Sequence, residues 1–393
     1  MLSEKSAATV RATLPAVGAA IGEITDLFYR KLFADRPELL RDLFNRGNQA
    51  AGLQKQALAG SIAAFATHLV DHPDTRPDVM LNRVAHKHAS LGVTREQYGL
   101  VHTHLFAAIA EVLGDAVTPE VAAAWDEVYW LMAGALTAIE ERLYAERQVL
   151  AGDVWRAWTV TGRTEETADC TTFRLTPADG GPAPSFRPGQ YVSVQVELAD
   201  GARQIRQYSL SGAPASPVRS ITVKRVHDGE VSRHLHEHVH EGATLRVSAP
   251  YGDLVLPGTG DRPAPLLLAS AGIGCTPMLS MLEHLAETGH TAPVTVVHAD
   301  RSPADHALRA DHRALTRKLP DARAEFWYES GATAEDRTGL ADLSGLPLAP
   351  GTRAYLCGPL PFMRAVREQL LSAGVPASDI HYEVFGPDLW LAS

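Results

Sequence analysis

The hydrophobic pattern of this chain changes period twice, near Gly152 and near Pro263, and that constrains its fold more than any single motif. Before Gly152 the spacing is helical. Leu58, Ile62, Phe65 and Leu69 fall at offsets 0, 4, 7 and 11, and Trp125, Val128, Met132, Ile139 and Leu143 share another helical face. Thr94-x-x-Gln97 is a capping-box pattern ahead of Tyr98, Val101, Leu105 and Ile109. Alternating β-branched runs are absent, so residues 1–150 are expected to be all-α. From about 153 to 262 the runs shorten to Thr171–Leu175, Gln190–Val196, Ile205–Leu210, Ser220–Val226 and Thr244–Ser248. Turn signals separate them at Arg187-Pro188-Gly189, Asp200-Gly201, Asp228-Gly229 and Pro250-Tyr251-Gly252, which predicts a small antiparallel barrel. Beyond Pro263, strands at Pro265–Ser270, Val294–His298, Ala324–Tyr328, Arg353–Cys357 and His381–Phe385 alternate with helices over Pro303–Leu319 and Phe362–Ala373. That alternation predicts a parallel α/β sheet of the nucleotide-binding kind. The expected domains are therefore 1–150, 151–262 and 263–393, consistent with two or three domains in 393 residues.

Composition narrows the function. The formal charge of −10 and the absence of a basic arm argue against nucleic acid as a partner. Three scattered cysteines, Cys170, Cys275 and Cys357, with no CxxC pair, exclude a disulfide framework, a four-cysteine zinc site and a cysteine-ligated iron–sulfur cluster. The first residues lack an apolar core flanked by basic residues, and no apolar run approaches the roughly 18 residues of a membrane span. A cytoplasmic protein without integral membrane association is expected. The unusual count is 17 histidines.

Gly272-Ile273-Gly274-Cys275-Thr276-Pro277 follows an apolar strand and opens a helix. Glycines there let backbone amides approach a pyrophosphate, and Thr276 is expected to cap the helix with Pro277 at its first position. Alone, such a turn is equally a tight strand–helix connection. It occurs with Arg187-Pro188-Gly189-Gln190-Tyr191, Arg206-Gln207-Tyr208-Ser209, Cys357-Gly358-Pro359 and Glu383-Val384-Phe385-Gly386-Pro387, in that order along the chain. This set resembles the ferredoxin–NADP reductase superfamily over roughly residues 153–390. The resemblance implies that Arg206, Gln207, Tyr208, Ser209 and Tyr191 line FAD, the arginine on phosphate and Tyr208 on the flavin. It further implies that Gly272, Ile273, Gly274, Cys275, Thr276 and Pro277 hold the phosphates of a nicotinamide nucleotide. Cys357, Gly358 and Pro359 would lie near the nicotinamide, and Phe385, within Glu383–Pro387, would cover the flavin ring.

In the helical region His68, His72, His86, His88, His102 and His104 are candidate metal ligands. Leu81, Val84, His88 and Leu91 fall at offsets 0, 3, 7 and 10, so His88 shares an apolar face while His86 points away from it; His102 is the rival on spacing alone. The motifs Leu27–Phe33, Pro37-Glu38-Leu39, Leu43-Phe44-Asn45, Gln54 with Leu58, Ala85-His86-Lys87-His88 and Glu96-Gln97-Tyr98 resemble the globin module of flavohaemoglobins. With the reductase half, the resemblance to the flavohaemoglobin family covers nearly the whole chain. It implies His88 as the proximal ligand of haem b, with Tyr98 and Glu140 hydrogen-bonding its imidazole. It implies Tyr29 as the distal hydrogen-bond donor assisted by Gln54, with Phe44 and Leu58 as pocket walls, and Lys87 with Glu383 near the haem–flavin boundary.

The implied activity is nitric oxide dioxygenase. NADH or NADPH reduces FAD, FAD passes single electrons to haem, and O2 and NO combine to give nitrate. NO, O2 and NAD(P)H are the expected partners, with no obligatory protein partner. Two other classes compete: an NAD(P)H-dependent peroxidase or reductase, and an O2/NO-binding sensor. Arg301-Ser302 could meet a 2′-phosphate on the nucleotide, which Asp300 beside it disfavours, so the choice between NADH and NADPH stays open. Cys275 is expected to make its loop sensitive to oxidation. His234, His236, His238 and His240 are expected on a solvated helix face, without a metal.

Overall fold

The structure is a computed structural model describing residues 2–256 and 263–387. It divides into two compact units. Among the described residues, the first holds the helical region through Trp155, the segment Glu197–Arg206 and Gly386-Pro387; the second holds those of Arg156–Val196 and Gln207–Phe385.

The first unit runs through α1 (Glu4–Asp35), α2 (Pro37–Asp42), α3 (Arg46–Ala50), α4 (Leu53–Asp71), α5 (Asp78–Leu91), α6 (Arg95–Leu113) and α7 (Pro119–Arg147). Local chemistry starts these helices. Ser3 caps α1 and Asn45 caps α3 through their side-chain oxygens, Thr118-Pro119 opens α7, and Thr94 with Gln97 forms the expected capping box on α6. The stripe Val10, Val17, Ile24, Phe28 and Leu32 on α1 is buried, and α1 packs against α4, α6 and α7.

Next in the chain come β1 (Trp155–Glu165), β2 (Cys170–Pro177), β3 (Tyr191–Glu197), β4 (Arg203–Ser209), β5 (Arg219–Lys224), α8 (Glu230–His238) and β6 (Thr244–Ser248), of which Arg203–Arg206 of β4 belong to the first unit and most of the rest to the second. The strands lie in the order β4-β3-β6-β1-β2-β5. Leu210, one residue past β4, bridges to Ile221 of β5, so the two end strands meet and the sheet closes. β1, eleven residues long, is absent from the sequence expectation. Its alternation is interrupted where the register with β2 shifts between Val160 and Gly162.

Then follow β7 (Leu266–Ala271), α9 (Cys275–Thr288), β8 (Val294–Asp300), α10 (Arg309–Lys318), β9 (Ala322–Tyr328), β10 (Arg337–Thr338), β11 (Arg353–Cys357), α11 (Leu360–Ser372) and β12 (Ile380–Glu383). They form a parallel sheet of order β10-β9-β8-β7-β11-β12. Leu266, Leu268, Met281, Leu282, Val296 and Phe326 are among the residues of its core. The helix expected from Pro303 starts only at Arg309. Leu308, at φ 59°, holds the preceding turn in a left-handed conformation that a helix cannot include. No helix among the described residues is long and apolar enough to cross a membrane.

Candidate functional site

His88 stands in the last turn of α5. Its Nδ1 lies 2.8 Å from Glu140 Oε1 and 2.9 Å from the Tyr98 hydroxyl, and Tyr98 donates to the same carboxylate oxygen at 2.6 Å. Glu140 is 2 % exposed on the inner face of α7, whereas neighbouring Glu141 is exposed and faces Arg95. A buried carboxylate must find donors, and these two supply them. Nδ1 is thereby the protonated nitrogen, and Nε2 of a half-buried ring is left for a ligand. Burial, and then the adjacent Glu140 charge, push the Tyr98 phenol well above its ordinary pKa, so it remains a donor. His102 is occupied otherwise: its Nε2 is 2.7 Å from Asp126 and its ring stacks on Phe106 and Trp130.

Tyr29 is buried on α1, with its ring edge-on to Phe44 at 5.9 Å and stacked on Phe33 at 5.5 Å. Burial raises the pKa of its phenol, and the neighbouring Gln54 and Gln49 side chains offset that only in part. Phe44 and Leu58 pack, partly buried, on the same cluster. Sequence reasoning missed Gln49, because α3 has five residues and no apolar period. It also missed Gln204, whose fully buried amide donates to the carbonyls of Leu40 (3.4 Å), Arg41 (3.0 Å) and Phe44 (3.2 Å). An imidazole with one oriented nitrogen and one open nitrogen, and a separate aromatic-walled phenol, make a donor set that fits haem.

On β4, strand alternation puts Arg206 and Tyr208 on one face and Gln207 and Ser209 on the other. The four expected FAD residues therefore do not share a face. Gln207 donates to Ser193 Oγ at 3.0 Å, while the buried Ser209 Oγ has no partner. Tyr191 is buried, pairs by backbone with Tyr251, and its ring lies where a Cβ on Gly252 would come within 3.1 Å. The half-exposed row Arg206, Gln207 and Tyr208 and the orphaned Ser209 hydroxyl fit a polar, planar ligand such as FAD.

β7 lies between β8 and β11, so the chain leaves it toward one side and later returns to the other, which is where open α/β sheets bind ligands. Gly272–Gly274 form a tight turn straight off β7. Gly272 has φ 53° with open space around it, whereas a Cβ on Gly274 would stand 2.3 Å from the Cys357 carbonyl oxygen. The two expected nucleotide motifs, Gly272–Pro277 and Cys357-Gly358-Pro359, are thus in contact. In register, Cys357 pairs with Ser270 and with Glu383. Phe385 is 45 % exposed, and Lys87 donates to the Gly386 carbonyl at 3.1 Å. Open backbone approach at a helix start fits a pyrophosphate.

Four expectations change. Thr276 does not cap α9: the helix starts at Cys275, and the hydroxyl donates back to the Ile273 carbonyl at 3.0 Å, leaving Pro277 third in the helix. Cys275 is buried and burial raises its thiol pKa, so it lacks the thiolate character that oxidation needs. Asp300 turns its carboxylate inward, 3.5 Å from His298 Nε2, instead of standing exposed beside Arg301. Arg301 is paired instead with Asp305. His240 lies beyond the end of α8, and His236 Nε2 is bound to the Val223 carbonyl, so these histidines do not share a solvated helix face.

Comparison with known proteins gives matches to three family models: Globin over residues 26–136, Oxidoreductase FAD-binding domain over 152–255 and Oxidoreductase NAD-binding domain over 268–368. The chain is 43% identical to the flavohemoprotein of Bordetella pertussis, over 98% of this chain and 99% of that one. It is 42% identical to the flavohemoprotein of Chromobacterium violaceum, over 98% of each. Among solved structures, the flavohemoglobin of Malassezia yamatoensis, determined with bound FAD and heme, matches with a TM-score of 0.91 and 38% identity over 98% of this chain and all of that one. The FAD/NAD-binding domain of nitric oxide dioxygenase from Vibrio cholerae matches with a TM-score of 0.56 and 37% identity, over 59% of this chain and 99% of that one.

Proposed function

This chain belongs to the flavohemoprotein family and is an NAD(P)H-dependent haem and flavin oxidoreductase; from that premise we propose that it is a nitric oxide dioxygenase. Two NO, two O2 and one NAD(P)H give two nitrate ions, one NAD(P)+ and one proton. The observation that carries this reading is the His88–Tyr98–Glu140 cluster on one side and the buried Tyr29 phenol on the other.

Bound haem would supply an iron that activates dioxygen and takes electrons singly, and FAD would divide the electron pair of a hydride. The chain's own residues set up that chemistry. His88 Nε2 would hold the iron. Glu140, accepting from Nδ1, gives the ring imidazolate character and makes it a stronger donor, which favours oxygen chemistry over storage. Tyr29 keeps its proton across physiological pH and so stays a hydrogen-bond donor, with the Gln54 side chain beside it. Phe44 and Leu58 limit water there. Arg206, Gln207, Tyr208, Ser209 and Tyr191 would hold FAD. The amides of Gly272–Cys275 would hold the nucleotide phosphates, and Cys357–Pro359 would bound the nicotinamide end. Glu383–Pro387 would close the flavin side, with Phe385 over the ring and Lys87 with Glu383 tuning the boundary.

The same proposal places the protein in the cytoplasm, where its three free, buried cysteines stay reduced, with small molecules as its partners. It divides the chain functionally into 1–150 for haem, 151–262 for FAD and 263–393 for the nucleotide.

The test is NO consumption by the purified protein with NADH, under air and under argon. Rapid loss of NO under air alone, with nitrate formed, is expected. NADH oxidation that ignores NO and follows added peroxide would replace the proposal with the peroxidase reading. The His88→Ala variant should lose haem while keeping FAD.

A further inference from the structure

The second unit contains a histidine cluster that the haem, flavin and nucleotide chemistry does not use. His298 ends the buried run of β8, His306 lies in the loop after it, and His312 lies on α10. They are 0 %, 3 % and 0 % exposed. One ring nitrogen from each lies within 4.8 Å of the others. We propose that His298, His306 and His312, with the carboxylate of Asp300, form a buried binding site for a zinc ion.

The hydrogen bonds orient the rings as metal ligands are oriented. His298 Nδ1 is held by Ser270 Oγ at 2.9 Å and His306 Nδ1 by the Tyr328 hydroxyl at 2.8 Å, which turns Nε2 of both rings toward the cluster. His306 Nε2 faces His312 Nδ1 across 2.9 Å. Two neutral imidazoles at that distance share one N–H···N hydrogen bond, whose proton a bound cation would displace. His298 Nε2, His312 Nε2 and Asp300 Oδ2 are all buried without a hydrogen-bond partner. Each such atom costs about 1–3 kcal/mol when left unmatched, and a cation between His298 Nε2 and Asp300 Oδ2 would satisfy that pair. Asp300 Oδ2 stands 3.5 Å from His298 Nε2. Ligands about 2.1 Å from a tetrahedral centre stand about 3.4 Å apart, so that pair already spans one tetrahedral edge.

The donor set selects the ion. Three imidazoles and one carboxylate suit zinc and its first-row neighbours, not the oxygen-preferring magnesium or calcium. Burial also keeps all three imidazoles neutral, the state that ligates. The nearest guanidiniums, Arg309 and Arg313, are turned to Asp336 at 3.2 and 2.9 Å. A metal here would pin α10 and the irregular loop before it to β8. That strand lies beside β7, from which the Gly272–Gly274 turn departs.

The experiment is elemental analysis of the full-length holoprotein produced with added zinc, followed by zinc-edge X-ray absorption. About one zinc per chain, in an imidazole-rich shell at about 2.0–2.1 Å, is expected. His312→Gln and His298→Gln should lose the zinc at unchanged haem and FAD content. His68→Gln and His234→Gln, on the surface pairs His68–His72 and His234–His238, should retain it. A wild-type protein with no zinc overturns the proposal. So does zinc lost from the surface variants but kept by His312→Gln. If the cluster variants fail to fold, the wild-type absorption spectrum still decides, because a shell without imidazole overturns the site.

Discussion

Tyr29 carries the sharpest consequence at the scale of single residues. Its phenol is buried and burial raises its pKa, so the role proposed for it is that of a donor and not of a base. Tyr29→Phe removes one hydrogen bond to a ligand that gains negative charge, worth about 1.5–3 kcal/mol, or roughly 10- to 100-fold in rate. NO turnover should fall by that factor and O2 should dissociate correspondingly faster in stopped-flow measurements, with haem content and flavin reduction by NADH unchanged. An unchanged turnover would remove Tyr29 from the mechanism. Residues of this kind differ in how far the sequence reveals them. Helical spacing put His88 on an apolar face but left His102 as a rival; the family motifs pointed to His88, and the bonds of Glu140 and Asp126 give the physical difference between the two. Glu140 and Glu141 are indistinguishable as letters, yet one is buried and the other exposed. Gln49, Gln204 and the His298–His306–His312 cluster have no periodic signature, because each is assembled from residues distant in the chain or lying in irregular segments.

At the scale of elements, the turn after β7 tolerates little change. Gly274→Ala would drive a Cβ into the Cys357 carbonyl and the Gly358 nitrogen, both backbone atoms that cannot rotate away. NADH-dependent flavin reduction should be lost or fall by at least about 100-fold, while the haem spectrum of dithionite-reduced protein stays normal. A variant that reduces flavin normally would contradict the close packing of these two motifs. The β8–α10 region makes the sheet sensitive to acid. Burial holds His298, His306 and His312 below the ordinary histidine value, even though Asp300 favours protonation of His298. On unfolding they return to about 6.5, so below that pH the unfolded chain takes up protons that the folded chain does not. Their stabilisation is complete above pH 6.5 and is lost as pH falls, by up to about 1.4 kcal/mol per pH unit for each group. The midpoint of thermal unfolding should drop between about pH 8 and about pH 5.5, and less steeply in His312→Gln. A flat profile would contradict the burial of these rings. Element boundaries were legible where pattern and turn chemistry agreed, as at the Thr94 cap of α6. They were not legible where one residue breaks the pattern: Gly162 hides the longest barrel strand, and the left-handed Leu308 shortens α10.

For the whole molecule, the three hydrophobic periods were visible from the start, and each corresponds to a layer of the fold: helices, a closed antiparallel sheet and a parallel sheet. Packing periodicity is a property of long segments, and so it survives in the sequence, whereas individual site contacts do not. The chain's chemistry follows the same order, from a two-electron nucleotide donor through flavin to a one-electron haem. The central claim is that both atoms of dioxygen end in nitrate. The direct measurement is mass analysis of nitrate formed from NO, NADH and isotopically heavy dioxygen by the purified holoprotein. Nitrate carrying two heavy oxygen atoms, formed at the rate at which NO disappears, is the predicted result. NADH oxidation yielding hydrogen peroxide and no doubly labelled nitrate would contradict it.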